Sequence, residues 1–131
     1  MEGTAEAAQE IARLHAELHE LRARVTALST AGETFRVLYE YSSDAHLIFD
    51  HRGILDCNRA AITMLHGKDK SQVLALHPAV LSPEYQPDGQ RSLDKSIEMD
   101  RLARERGFHR FEWTHRRLSG ADFPVEVTLT P

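Results

Sequence analysis

The closing stretch, GFHRFEWTHRRLSGADFPVEVTLTP from Gly107 to Pro131, alternates in polarity on both sides of Ser119-Gly120-Ala121-Asp122. Phe111, Trp113 and His115 share one face, and Glu112, Thr114 and Arg116 share the other. Beyond the turn, Val125, Val127 and Leu129 alternate with Glu126, Thr128 and Thr130. A period of two over that length commits this quarter of the chain to paired strands with one buried and one wet face. The buried face carries an indole and an imidazole among aliphatic groups, a mixture that suits a surface enclosing something.

With 131 residues the chain has room for one compact domain and an extension. Sixteen basic side chains stand against 20 acidic ones, a net charge of −4 that argues against general nucleic-acid affinity. No apolar run approaches the roughly 20 residues of a membrane span, and no basic segment leads into an apolar one at the N-terminus, so a cytoplasmic location is expected. Cys57 is the only cysteine, which excludes an intrachain disulfide and a cysteine-rich metal site.

Residues 5–28 contain neither Gly nor Pro. In them Ile11, Leu14, Leu18, Leu21, Val25 and Leu28 recur at alternating spacings of three and four. That is a heptad seam, with β-branched Ile11 and Val25 at a and Leu14, Leu21 and Leu28 at d, and it predicts a parallel homodimer through this helix. Glu17 at g and Arg22 at the following e suit a pair between chains. The other reading is a single amphipathic helix packed on its own domain, which would bury a wider stripe than a and d alone. Gly32 interrupts the seam at an a position, and Thr30 with Glu33 resembles a capping box. Either a second short helix starts there, with Phe35, Leu38 and Tyr39 inward, or one helix tolerates a glycine at about 1 kcal/mol. The organisation expected is a helical segment over 1–31 and a domain over 32–131.

From Ser43 the punctuation becomes dense. AHLIFD and GILDCN flank His51-Arg52, a hairpin signal. RAAITMLHG and KSQVLAL read as short helices, and a loop with Pro78, Pro83, Pro87 and Asp88-Gly89 follows. SLDKSIEMDRLARER is a further helix, capped by Ser92 or Asp94 and stopped by Gly107. Its Asp94, Glu98, Asp100 and Glu105 alternate with Lys95, Arg101, Arg104 and Arg106, as on a solvated face.

In this order, residues 33–131 resemble a PAS domain, a sensory module of bacterial signalling proteins. SSDAHLIFDHRGILDCNRAAITML resembles the family's opening strand pair and first helix, with Asn58 just after the second strand. LSPEYQPDG resembles a mid-domain loop of part of the family, and FEWTHRRLSGADFPVEVTLTP is the closest match. The resemblance implies an α+β fold, a five-stranded antiparallel sheet with helices on one face and a small-molecule cavity between. Phe111, Trp113, His115, Val125, Val127 and Leu129 would line that cavity, with Ile48 or its neighbour Leu47 from the first strand and Met64 and Leu65 from the helices. A helix before the domain fits the family's way of transmitting signals. The family's last strand follows the segment equivalent to Val125–Pro131 and lies centrally, beside the first. The chain stops before it, so strand-edge contacts with a partner chain, or a rearranged pairing, are expected to cover the open edges.

Two readings fit Trp113 and His115. One is a pocket that stacks a flat or apolar ligand and gives it a hydrogen bond; the other is a filled core whose polar tips are satisfied by protein groups. Thiol-adduct flavin chemistry is disfavoured, because Cys57 sits in Asp-Cys-Asn at a strand end and not in the family's Asn-Cys-Arg context on a helix. Haem is disfavoured because Ser92–Arg106 lacks the ligating histidine of haem-binding relatives; His77 and His109 lie just outside it. A small organic ligand stays open. His15 and His19 have the spacing of two metal ligands, with Glu17 and Glu20 nearby, but they fall at e and b of the heptad, where solvated residues belong. No nucleotide, hydrolase or zinc-protease motif occurs. The function expected is a non-catalytic sensory module with its effector of histidine kinase, cyclase or chemoreceptor type in a longer protein, and the rival is a structural homodimerisation domain without ligand.

Overall fold

The computed structural model describes residues 2–131, in two compact units. The first is one helix, α1 (Glu2–Glu40), which runs through Gly32 without a break. Of the two readings of that glycine the continuous helix holds, and no separate helix begins at Thr30. Thr26, Thr30 and Thr34 bond the carbonyls of Arg22, Thr26 and Thr30 one turn back. Such bonds satisfy hydroxyls without leaving the helical path. The seam residues lie open, from Leu18 at 43% to Leu28 at 73% exposure. Arg13 pairs with Glu17, and Arg24 with Glu20, so Glu17 has a partner on its own helix.

The second unit, Tyr41–Pro131, is α+β. Its elements are β1 (Leu47–Asp50), β2 (Gly53–Cys57), α2 (Arg59–Met64), α3 (Lys70–Leu74), a 3-10 turn (Pro78–Leu81), α4 (Ser92–Arg106), β3 (His109–Arg116) and β4 (Asp122–Leu129). Among the described residues the strands form two separate antiparallel pairs, β1 with β2 and β3 with β4. The single five-stranded sheet implied by resemblance is therefore not closed.

Caps and turns set the boundaries. Asn58, fully buried, accepts from the N–H groups of Ala61 at 3.1 Å and His46 at 2.9 Å, and donates to the Asp44 carbonyl at 2.9 Å. One amide thereby starts α2 and fixes the approach to β1. Asp69 caps α3 by accepting from Gln72 N–H. Gly107, at φ 89°, ends α4, as its freedom in the left-handed region allows. Helix α2 ends with His66 in the same region at φ 58°, the position that glycine usually takes.

The core gathers Ile54, Cys57, Ala61, Leu65, Val73 and Leu81, with Leu47, Leu118 and Phe123 packed against it. Each fully buried aliphatic side chain contributes about 1.5–3 kcal/mol over its exposed state. Ile54 and Cys57 are both buried although three positions apart, because a bulge opposite Ile48/Phe49 leaves Leu55 as an extra residue. Strict alternation fails there, and Ile48 stays 44% exposed while its neighbour Leu47 packs inward.

Candidate functional site

The β3–β4 hairpin follows the alternation. His109, Phe111, Trp113 and His115 stand opposite Leu129, Val127, Val125 and Phe123. The turn is closed by Arg117 N–H donating to the Ala121 carbonyl at 2.8 Å, with Gly120 at φ 91°. Leu118 N–H donates to the Leu65 carbonyl at 3.0 Å and ties this turn to the end of α2.

The segment Leu81–Ser92 supplies the polar partners of this face. The Trp113 indole N–H donates to Ser82 Oγ at 2.9 Å, and His115 Nδ1 lies 3.0 Å from the Leu81 carbonyl. That carbonyl accepts only if Nδ1 carries the proton, which fixes the neutral tautomer. Burial pushes the His115 pKa down, and the bond to Leu81 opposes this in part. Gln86, 3% exposed, grips the free edge of β3. It accepts from Thr114 N–H at 2.8 Å, and its amide nitrogen donates to Thr114 O at 3.2 Å and Ser92 Oγ at 2.8 Å. Ser92 in turn donates to the Pro83 carbonyl. The expected cap of α4 by Ser92 or Asp94 is thus not made: Arg91 holds the cap position without a side-chain bond, because the Ser92 hydroxyl is buried in this network.

A concavity of about 460 Å³ lies beside this network, lined by Trp113, Gln86, Asp88, Lys95, Glu112 and Val125 among others. Lys95 departs from the solvated face expected of α4. Its side chain is 17% exposed, its ammonium pairs with Asp88 at 2.8 Å and stands 5.9 Å from the Trp113 ring centre. The hydrogen bond from Lys95 holds the Asp88 carboxyl below the usual range. The remaining charges of α4 behave as a solvated face, with Arg101 between Glu98 and Glu105 and Arg104 on Asp100.

Trp113 and Val125 meet at this concavity, whereas Phe111, Val127 and Leu129 continue the same face in half-buried positions. Leu65 sits in the core and Met64 against it. Ile48 joins neither group. The alternation also contained Phe123, two residues before Val125, but Pro124 obscured it. Ser82 and Gln86 belong to a loop and Leu81 ends the 3-10 turn before it, and none of the three carries a periodic signal. Among the described residues no cluster of three or more His, Cys, Asp or Glu is placed to hold a metal ion. No described helix is long and apolar enough to cross a membrane.

Residues 43–131 match the profile of the PAS domain. The chain belongs to the PAS domain family. It is a non-catalytic sensory and signalling module, as PAS domains of this family are. Among solved structures it is similar to a PAS domain from a two-component sensor histidine kinase, at 19% identity and a TM-score of 0.59, covering 78% of this chain and 83% of that one. A PAS domain of a LuxR-family transcriptional regulator from Burkholderia thailandensis, solved with ethanol, matches at 16% identity and a TM-score of 0.57, covering 72% and 79%. A domain of a sensory box sensor histidine kinase/response regulator from Geobacter sulfurreducens matches at 28% identity and a TM-score of 0.57, covering 77% and 83%. No curated protein matches the chain. In PAS terms, Trp113 and His115 stand on the sheet face where the family's cavity was expected, and Leu81 and Ser82 are their present partners.

Proposed function

We propose that this PAS domain is a cytoplasmic sensor that binds a small organic molecule at the inner face of β3–β4 and relays its occupancy through a homodimer of α1. The observation that carries the reading is the pair of bonds from Trp113 to Ser82 and from His115 to Leu81. A ligand with a hydroxyl or carbonyl can replace Ser82 Oγ on the indole, and one with an acceptor can replace the Leu81 carbonyl. Either exchange releases the segment after the 3-10 turn, a two-state element that ligand binding would bias. Phe111, Val125, Val127 and Leu129 would supply the apolar wall, with Met64, Leu65 and Ile48 toward β1 and the helices. The ethanol in the Burkholderia relative supports a small hydroxylated ligand.

Dimerisation would use Ile11, Leu14, Leu18, Leu21, Val25 and Leu28, whose exposure in the single chain supports a role in association. The kinase and regulator relatives support an effector domain in a longer protein. A second reading has its own support: both polar tips are already satisfied within the protein, as in a structural interaction domain with a filled core.

Because Trp113 is the only tryptophan, its indole N–H gives one unambiguous NMR signal. Titrating short alcohols should shift that signal and the Ser82 amide in a saturable way, and Trp113→Phe should abolish the response at Ser82. An indole signal unmoved by alcohols, with no small molecule released on denaturing the purified protein, would leave the filled-core reading.

A further inference from the structure

Lys95 turns inward from α4, and its surroundings differ from those of ion pairs at the open surface. Lys70 and Arg116 are 38% and 40% exposed in their pairs, whereas Lys95 is 17% exposed. Withdrawing an ammonium from water is costly unless its donors are answered. A lysine has three such donors. Asp88 answers one at 2.8 Å, and among the described residues no other acceptor reaches Nζ. The Trp113 ring, centred 5.9 Å from Nζ, adds a cation–π contact. Lys95 lines the concavity of about 460 Å³, so its two remaining donors are open to a group held there.

Asp88 is a replaceable partner. Its carboxylate is 39% exposed and accepts from Gln90 N–H at 2.9 Å and from Gln90 Nε2 at 3.0 Å. Its turn is held without Lys95, since Gln86 N–H donates to the Gln90 carbonyl at 2.8 Å and Gly89 N–H to the Gln86 carbonyl at 2.9 Å. When Asp88 gives up Lys95, those bonds remain and its free oxygen reaches water. Neither charge is then orphaned, provided that an anion takes the place of Asp88 on the ammonium. The other carboxylates at the concavity do not compete for that place. Glu112 and Glu126 belong to the outward face of the hairpin, both are exposed, and Glu126 lies 3.7 Å from Arg110. A cationic ligand, by contrast, would meet Lys95 itself.

We propose that the ligand of this site is a small organic carboxylate, whose anionic group replaces Asp88 on Lys95 while its apolar body lies on Trp113 and Val125. This rests on the reading of the inner face of β3–β4 as a ligand site and adds the charge of the ligand. The carboxylate is a second anchor, beside the group that answers the Trp113 indole. In the structure Asp88 holds the ammonium in the ligand's stead. Its displacement frees the turn 87–90 from α4. Gln86, bonded across that turn, also grips Thr114, so the exchange reaches the edge of β3.

Benzoate, benzyl alcohol and benzylamine share a ring and differ in charge. Each is titrated into the full chain at about pH 7, where a carboxylate is ionised and an amine protonated, with the Trp113 indole and Asp88 amide signals followed by NMR. Benzoate should bind about tenfold more tightly than benzyl alcohol, the gain expected of a hydrogen bond to a charged group, and benzylamine should bind weakest. Lys95→Met keeps the apolar stem and should lower benzoate to the level of the alcohol. Asp88→Asn removes the competing charge, keeps an acceptor for Gln90, and should tighten benzoate severalfold. A pair with only a structural role would leave that affinity unchanged or weaken it, and either result overturns the exchange. The three-probe comparison in the unmutated chain decides the ligand class even if Lys95→Met fails to fold. Benzyl alcohol or benzylamine binding as tightly as benzoate overturns the carboxylate and leaves the ligand site standing, whereas a Trp113 signal that none of the three moves overturns both.

Discussion

Replacing Gln86 by alanine tests whether one loop side chain holds the edge of the candidate site. The side chain is 3% exposed and makes three hydrogen bonds, to Thr114 N–H at 2.8 Å, Thr114 O at 3.2 Å and Ser92 Oγ at 2.8 Å. A typical bond contributes a net ~1 kcal/mol. The long bond to Thr114 O lies at the lower end of that range, and loss of the side-chain methylene packing adds about 0.8 kcal/mol. Ser92 keeps its bond to Pro83, so it adds no further orphan. Gln86→Ala should therefore cost about 3 kcal/mol. Urea unfolding followed by Trp113 fluorescence at fixed protein concentration gives the total, and exchange of the Thr114 amide locates it. The conservative Gln86→Glu sharpens the test. The new carboxylate still accepts from Thr114 N–H but turns a lone pair on Thr114 O, so burial and repulsion raise its folded pKa above the unfolded value. Its deficit relative to the parent should be small at low pH, where the carboxyl is protonated and donates, and should grow as pH rises through the folded pKa. A loss below about 1 kcal/mol for Gln86→Ala, with Thr114 protection unchanged, refutes the role assigned to this amide.

Three further outcomes follow from the same physics. The folded pKa of His115 is depressed by burial, so the unfolded chain takes the proton first and stability present above about pH 6.5 should be lost as pH falls toward and through the folded value; His115→Gln should flatten that slope in urea midpoints measured from pH 7.5 downward. His66 stands at φ 58° in a position suited to glycine, against an exposed contact with Arg117, so His66→Gly should raise stability by about 0.5–1 kcal/mol; a thermal midpoint that falls instead would show that the Arg117 contact outweighs the backbone strain. Asn58→Ala removes a cap together with bonds to His46 and Asp44, and should cost roughly 3 kcal/mol or more in denaturant unfolding, with the exchange of His46 and Ala61 amides accelerated; a cost typical of an exposed cap alone would disprove the bridging role.

The parts of this fold that sequence made legible are those governed by neighbours in the chain. Alternation placed β3 and β4 and the face shared by Trp113, His115 and Val125, because strand geometry forces every second side chain to one side. Gly107 marked the end of α4, where its left-handed φ stops the helix. Where the reading fell short, distant groups had intervened. Ser92 looked like a cap, yet a fold-dependent approach of Pro83 and Gln86 claims its hydroxyl. Leu55 bulges because of its pairing with β1, and this rotates Ile54 and Cys57 to one side in a way that no local pattern encodes.

The same distinction bears on sensing. The groups that answer Trp113 and His115 come from 31 and 34 residues earlier in the chain, in a loop without period, so composition of the face alone could not tell a pocket from a filled core. Energetics narrows the gap between those two readings. A ligand that takes the indole N–H must give back the Ser82 bond, a net difference of about 1 kcal/mol, which is less than a tenfold change in affinity. Ser82 stays in a half-buried position where solvent or a displaced loop can satisfy it. A filled face whose polar bonds are that cheap to exchange is also a face that a modest ligand can open. On the function proposed, sensor and packed core would be two occupancies of one site, separated by the apolar contact a ligand would gain along Phe111, Val125 and Val127 when Ser82 lets go.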